Sequence, residues 1–579
     1  MNTPTRWDLD ILQYGFDLNE LKRHMSNIET KITVIEKSSP LTNLNEQNLK
    51  TLSEIIKQIE SLESYCHCLT TDHIKPTDLT TLKATISMLK SQVRHIISTI
   101  QESLNCMSQP QFLDWSKTIH QKRFISDLVI DGEGKRNEVK IISSFAKETL
   151  SSLEDMYTQL LNQFKVKVIF EHVENELTFS EANSLAMSHT DPIIRNSVFK
   201  ELNHTLEAQA NLYASIYNQM VGLRLNEYKI KNEDFFDESL KMNGLTHSTL
   251  KTMWDVIDSN IDNLSIYLKI KAKEVGKARL SWHEVMSSSE EVYYRINFSQ
   301  AIDFITKSLT NFDTNISTFV HEIIIRGWVD AEQRNTKPIN GFCAPFPYEG
   351  ESRISLNYDE SIDSARRLAH ELGHAWHFQQ IGLIPSLRFS EEFFEMTMAE
   401  TSSIFFETIF IDYVIQEIKD PSTKKAILGS KIERSLNYLM SIRGAYLFEE
   451  KFYEYRKNGQ LDVNMVEELS IKCQEKAYGN SLSEYEPFVW IKYDQFYQAD
   501  TPFYNYPYSF GFLLSIGLIE LAKDDEHFHK KFQQFLAETG MLPLEQLIKK
   551  HFNIDLSEQN FWQQSIQRLL KYIELYNNC

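Results

Sequence analysis

The stretch RRLAHELGHAWHFQQ, residues 366–380, arranges His370, His374 and His377 around a single glutamate, Glu371. Read as a helix, it puts positions 370 and 374 one turn apart on the same face. Two imidazoles at that spacing can converge on one zinc ion at about 2.0–2.1 Å each. Glu371 is rotated about 100° from His370, so its carboxylate lies beside such an ion rather than in line with the ligands. There it can accept a proton from a bound water whose pKa has fallen to about 7. The competing reading is a solvated helix face carrying incidental histidines.

Two internal controls favour the metal. The spacing H-E-x-x-H is a zinc-peptidase signature. The pairs His283-Glu284 and His321-Glu322 do not complete it, because Ser287 and Ile325 stand four residues after the histidine. A third ligand is still needed. His377 shares the stripe, but 370 and 377 are about 10.5 Å apart along a helix, and an ion held by both would sit where His374 projects. Segments that supply a third histidine locally read H-E-x-x-H-x-x-G-x-x-H; here the glycine position is His377 and the last position is Gln380. His377 therefore reads as a residue of the helix face, or one that supports the ligands from behind.

The other solution is a glutamate on a following helix. SEEFFEMTMAETSSIFFETIFIDYVIQEI, residues 390–418, reads as one long helix. Glu391, Glu392 and Glu395 crowd its start, where the helix dipole favours acids. Glu400 and Glu407 lie seven residues apart on one stripe bordered by Met396, Ile404, Phe410 and Ile411. A carboxylate among such neighbours is costly unless it is paired or bound to a metal. Thr401, Ser402 and Ser403 are small enough to let this helix approach the first closely. Glu400 is the expected third ligand, and Glu407 the residue that orients a ligating imidazole.

The whole chain is compatible with such an enzyme. Its 579 residues exceed what one core usually serves, so two or more structural units are expected. A hydrophobic content of 42% with 12% aromatics excludes disorder. The formal charge of −20 argues against nucleic acid or an anionic membrane as partner. Six cysteines in a chain this long form no disulfide framework. Asp8 and Asp10 precede any apolar run, so the start is not expected to be a signal peptide. FGFLLSIGLIELA (510–522) is too short to span a bilayer. A soluble, cytoplasmic protein is the expectation.

Helical periodicity dominates, as in 49–65, 82–100 and 138–164, and only 18 Gly and 14 Pro interrupt it. The exception is NGFCAPFPYEGESRISLNYDES (340–361), where RISLNY is an expected strand just before the histidine helix. DGEGKRNEV (131–139) is an expected turn. The division is drawn as an N-terminal helical region, 1–190, and a catalytic domain, 191–579.

With these residues assembled, the chain resembles the oligopeptidase F branch of the thimet oligopeptidase family. HELGHAWH (370–377) matches that family's extended helix, including Gly373 and His377, and AETSSIFFE (399–407) matches its second motif. RWDLD (6–10) resembles the branch's opening, and TPFYNYPYSFGFLL (501–514) its Tyr-rich tract. The resemblance implies a mainly α fold, a large helical zincin-like bowl with two halves around a deep substrate channel and a small β-sheet near the active site. It implies one zinc per chain and endopeptidase action on short unfolded oligopeptides. RISLNY then becomes an edge for strand addition, with Ser355, Leu356 and Asn357 as substrate contacts. Gly341 matches a loop near the substrate in relatives. Tyr504 and Tyr508 match substrate-facing tyrosines that, with zinc, would stabilise the oxyanion; the bland reading of both is aromatic core packing.

The chain departs from the family pattern in two places. Relatives often carry a histidine shortly before the Tyr tract, where DQFYQADTPFY has Gln495 and no histidine, and they tend to have Tyr-Asp where this chain has His283-Glu284. The nearest rival function is a helical zinc carboxypeptidase, which would need a cation for the terminal carboxylate; Arg353 and Arg443 are candidates. A peptide-binding protein with a vestigial site is a further rival, against which intact Glu371 counts. CHCLTTDH (66–73) offers Cys66, Cys68 and His73 but lacks structural-zinc spacing.

Overall fold

The computed structural model of the chain describes residues 4–9, 12, 18–37, 45–71, 76–128, 137–170, 173–285, 287, 294–338, 340–387 and 395–579. Helices dominate, as the periodicity predicts. The stretches 49–65, 82–100 and 138–164 lie within the helices Glu46–Leu69, Pro76–Asn105 and Asn137–Gln163. Asn45 caps the first of these by accepting from the Asn48 N–H at 3.0 Å, a group with no partner inside the helix. Leu49, Leu52, Ile56, Ile59 and Leu62 of this helix are buried in one stripe, which is what commits it to a core. Of the turn expected at 131–139, residues 131–136 lie outside the described residues, and 137–139 open the next helix.

The chain divides into two compact units, each built from separated segments. The first comprises Met1–Gly134, Tyr293–Glu417 and Leu518–Ile554; the second comprises Lys135–Val292, Ile418–Gly517 and Asp555–Cys579. A buried polar network joins the three segments of the first unit. Arg123 donates to Ser386 Oγ (2.9 Å) and to the carbonyls of Ala537 (3.2 Å) and Thr539 (2.6 Å). Asp127 accepts from Ser386 Oγ and the Leu387 N–H. Removing one member would leave charged partners buried without their bonds, which costs far more than a surface pair.

Five strands are described: β1 (Lys165–Phe170), β2 (Val173–Thr178), β3 (Val329–Asp330), β4 (Phe342–Phe346) and β5 (Glu351–Ser355). β1 and β2 form an antiparallel hairpin in the second unit, and the other three form one sheet in the first, in the order β3-β5-β4. β3 runs parallel to β5, and β4 runs antiparallel to it with Phe342 opposite Ser355. The part of RISLNY that lies in β5, residues 353–355, is therefore not an edge. β5 has a neighbour on each side, and β4, which carries Pro345, is the outer strand on its side, where a residue without an N–H is tolerated.

The opening RWDLD, described through Leu9, docks on this sheet. Asp8 N–H donates to Gly327 O at 3.0 Å, Thr5 O accepts from Ala331 N–H at 2.7 Å, and Trp7 packs against Phe342 of β4 with ring centroids 6.2 Å apart. Gly341 has φ +78, and a Cβ there would lie 2.8 Å from Ser355 O, so only glycine allows this approach of the loop to β5. No helix among the described residues is long and apolar enough to cross a membrane.

Candidate metal centre

The histidine helix spans Ile362–Ile381 and starts at Ser361, whose side chain accepts from the Ser364 N–H at 3.0 Å. Its partner differs from the single helix expected over 390–418. Residues 390–394, with Glu391 and Glu392, lie outside the described residues; a short helix spans Met396–Ala399, and a second spans Thr401–Glu417. Glu400 is the joint, with its carbonyl accepting the Ile404 N–H at 3.0 Å. The two helices approach so closely at Gly373 that a Cβ there would meet Ser403 Cα at 2.6 Å and Ser402 O at 2.7 Å. Glycine on one side and small residues on the other set the spacing of the site.

That spacing brings His370, His374 and Glu400 together, with one donor atom of each within 4.8 Å of the others. Glu400 Oε2 lies 3.3 Å from His370 Nε2 and 3.7 Å from His374 Nε2. Ligands about 2.0–2.1 Å from a tetrahedral zinc are about 3.3–3.4 Å from one another, so the donor set fits that ion in type and in separation. Among the described residues no other cluster of His, Cys, Asp or Glu meets the same criterion.

The surrounding bonds prepare the same atoms. His370 Nδ1 lies 3.2 Å from Glu407 Oε2, and Arg366 Nη1 donates to that oxygen at 2.6 Å. A proton kept on Nδ1 leaves Nε2 as the free lone pair. Ser403 Oγ donates to Glu400 Oε2 at 2.8 Å. Burial opposes charge on His370, but the bonds to Glu400 and Glu407 outweigh it and raise the imidazole to about 10. Burial likewise opposes charge on Glu400, yet its bond with His370 and the nearby His374 bring the carboxyl down to about 2. The pocket favours positive charge, which a dication supplies. Glu371 is 6% exposed, and burial pushes its carboxyl up to about 7.

His377 faces elsewhere. Its Nε2 meets Thr539 Oγ1 at 2.8 Å, and that hydroxyl donates to Leu536 O. The ring therefore donates through Nε2 and is held neutral, with burial lowering its pKa to about 3. It ties the histidine helix to the segment 518–554. The sequence marks Ser403 only for its small size and gives no sign of its bond to Glu400 or of the Arg366 bond to Glu407, although both residues stand inside the quoted stretches.

The residues expected to contact substrate are already engaged. Leu356 N–H donates to Asp330 O at 3.0 Å, and Leu356 O accepts from buried Lys337 Nζ at 3.0 Å. Asn357 Oδ1 accepts the Arg334 N–H at 2.8 Å, and Ser355 pairs with both flanking strands. Ser355 and Leu356 therefore have no backbone edge to offer a peptide, which corrects the strand-addition expectation for those two residues, whereas at Asn357 it is the side chain that is engaged. Gly341 is explained by its approach to β5.

Tyr504 and Tyr508 belong to the second unit. Both are half-buried, and their hydroxyls lie 2.8 Å apart, whereas Tyr506 between them is buried. His283 is buried against Phe199, ring centroids 4.3 Å apart, and Glu284 bonds to Lys277 and Ser281, a structural arrangement. The two arginines considered as carboxylate anchors are spoken for. Arg353 is fully buried, paired with Glu351 at 3.0 Å and placed over Trp328 and Phe346. Arg443 grips Asp258 with two bonds, 2.9 and 2.7 Å, over Trp254. Cys66 and Cys68 are buried free thiols, and His73 lies outside the described residues.

Comparison with known proteins bears on this geometry. The model of Peptidase family M3 matches residues 185–568. An oligoendopeptidase F homolog of Borreliella burgdorferi is 21% identical over 91% of this chain and 90% of its own. A solved chain of Chlamydophila abortus, described as a candidate peptidase, superimposes with TM-score 0.82 at 18% identity, covering 99% of this chain and 98% of that one. Oligoendopeptidase-F of Enterococcus faecium gives 0.66 at 17% identity, covering 97% and 99%. An M32 carboxypeptidase of Deinococcus radiodurans shares the fold more distantly, 0.51 at 12% identity over 92% and 99%.

Proposed function

The chain belongs to peptidase family M3, and from that premise we propose that it is a zinc oligoendopeptidase hydrolysing internal bonds of short, unfolded peptides. The observation that carries the reading is the convergence of His370 Nε2, His374 Nε2 and Glu400 Oε2 beside buried Glu371. A bound zinc ion, one per chain, would supply Lewis acidity there, acidifying water and polarising a peptide carbonyl. Glu371 takes a proton from the attacking water and delivers it to the leaving amine, a role its buried carboxyl can fill beside the ligands. Glu407 and Arg366 hold the His370 ring in one tautomer and orientation. Tyr504 and Tyr508 donate to the substrate oxyanion, an assignment carried by the resemblance of their tract.

Internal rather than terminal cleavage is supported by the engagement of Arg353 and Arg443, which leaves neither to anchor a terminal carboxylate. A cytoplasmic location is supported by six free thiols, which suit a reducing compartment. The test is an internally quenched peptide of about ten residues, roughly 33 Å when extended, with both termini blocked. Cleavage at an inner bond is expected. Cleavage only when the C-terminus is unblocked would transfer the protein to the carboxypeptidases.

A further inference from the structure

Residues 498–505 join the short helix Asp494–Tyr497 to the helix Tyr506–Leu521 without regular structure of their own. Such a stretch loses backbone entropy on ordering and stays in one conformation only if specific partners hold it. It has them on every side within its own unit. Arg224, 2% exposed on the helix Ala210–Lys231, donates to the carbonyls of Gln498 and Ala499, the latter at 3.2 Å, and to Tyr453 Oη at 3.1 Å. Glu154 Oε2 accepts the Ala499 N–H at 2.9 Å. Glu449, 2% exposed on the helix Ile442–Arg456, accepts the Phe503 N–H at 3.1 Å.

Phe503 is the pivot. Its φ of +56 lies in the left-handed region, which a bulky side chain enters only under constraint. Its ring is fixed among Phe236 (4.8 Å between centroids), Tyr453 (5.1 Å), Phe235 (5.9 Å) and Tyr446 (6.0 Å). With ring and N–H both held, the next residue, Tyr504, leaves the cluster in a fixed direction. On the far side Tyr506 Oη bonds to Ser239 O at 3.1 Å and receives Asn243 Nδ2 at 3.3 Å. The result is the Tyr504–Tyr508 hydroxyl pair, 2.8 Å apart. A carboxyl group buried at position 449 is expensive unless its bond does something that an apolar side chain of similar size could not.

We propose that Glu449 and Arg224 are positioning residues: by fixing the backbone of 498–503 they set where the Tyr504–Tyr508 hydroxyl pair points. The inference rests on the reading of those tyrosines as donors to the substrate oxyanion, and the experiment separates the two. Steady-state kinetics are measured for Glu449→Leu and Glu449→Gln, each alone and combined with Tyr504→Phe and Tyr508→Phe. Glu449→Leu should lower kcat by about 10–100-fold with KM within about twofold. Glu449→Gln, whose amide oxygen still accepts the Phe503 N–H, should keep kcat within about threefold. In the double-Phe background Glu449→Leu should cost less than about twofold, because the groups it positions are gone. Where Glu449→Leu does not fold, Arg224→Met, which keeps the aliphatic stem, is expected to show the same dependence on the tyrosines. Equal fractional losses in the two backgrounds, or an unchanged kcat in the Leu variant, would overturn the positioning role while leaving the tyrosines intact. Full activity of the double-Phe protein itself would overturn the tyrosine assignment and the inference together.

Discussion

Gly373→Ala adds a single methyl group between the two histidines, yet it should separate them from Glu400. The new Cβ would start 2.6 Å from Ser403 Cα and 2.7 Å from Ser402 O, both backbone atoms that cannot rotate away, where ordinary contact begins at 3.4 Å. The helix Thr401–Glu417 must therefore retreat by about 0.8 Å at its first turn, next to Glu400. A metal site tolerates ligand distances within about 0.2 Å. The global cost is smaller: overpacking of about 1–3 kcal/mol is partly offset by the roughly 1 kcal/mol that alanine gains over glycine in a helix. The expected outcome is a folded protein whose zinc affinity falls by at least about 10–100-fold, read by equilibrium competition with a fluorescent chelator beside far-ultraviolet circular dichroism. Gly382→Ala is the control, since its Cβ would meet nothing closer than 3.4 Å. Affinity within about twofold of the unmodified protein in Gly373→Ala would refute the claim that helix contact at Gly373 sets the ligand geometry.

Tyr504→Phe or Tyr508→Phe should lower kcat by about 10²–10³ with little change in KM, and an unchanged kcat in both would return these rings to a packing role. Burial raises the Glu449 carboxyl from its ordinary 4.5 to about 7. The folded state thus keeps a proton that the unfolded state releases, and stability falls as pH rises from about 4.5 to 7. Glu449→Gln should remove that fall, so its stability advantage over the unmodified protein, on the order of 3 kcal/mol at most, should be larger at pH 8 than at pH 5; equal urea-midpoint differences at the two pH values would contradict this. In a length series around one scissile bond, a 10-mer should be cut far faster than unfolded casein, and comparable rates on both would contradict a preference for short peptides.

What the sequence revealed follows from how local each signal is. His370, Glu371 and His374 are legible because one helix fixes their relation within four residues. Glu400 and Glu407 could be singled out because carboxylates amid apolar neighbours need partners, and His374 and Arg366 are among those they meet. The break at Glu400 was not legible, since neither Gly nor Pro marks it. The order β3-β5-β4 was hidden because β3 is two residues long, too short to show alternation, so RISLNY looked like an edge. That His377 is not a ligand was legible from its spacing, but its bond to Thr539 was not, because that contact is set by tertiary packing. Arg224 and Glu449 carry no motif at all; their partners are backbone atoms of a distant loop, which no side-chain pattern encodes.

Zinc content and turnover, measured together on the unmodified protein and on Glu371→Gln, Glu400→Ala and His377→Ala, test the central claim most directly. The donor set predicts about one zinc per chain in the unmodified protein. Glu371→Gln should keep its zinc and lose turnover, because it removes the base and not a ligand. Glu400→Ala should lose the metal, and His377→Ala should keep most of it, because that ring is bonded to Thr539. Absence of zinc from the unmodified protein, or a metal lost with His377 and kept without Glu400, would contradict the account.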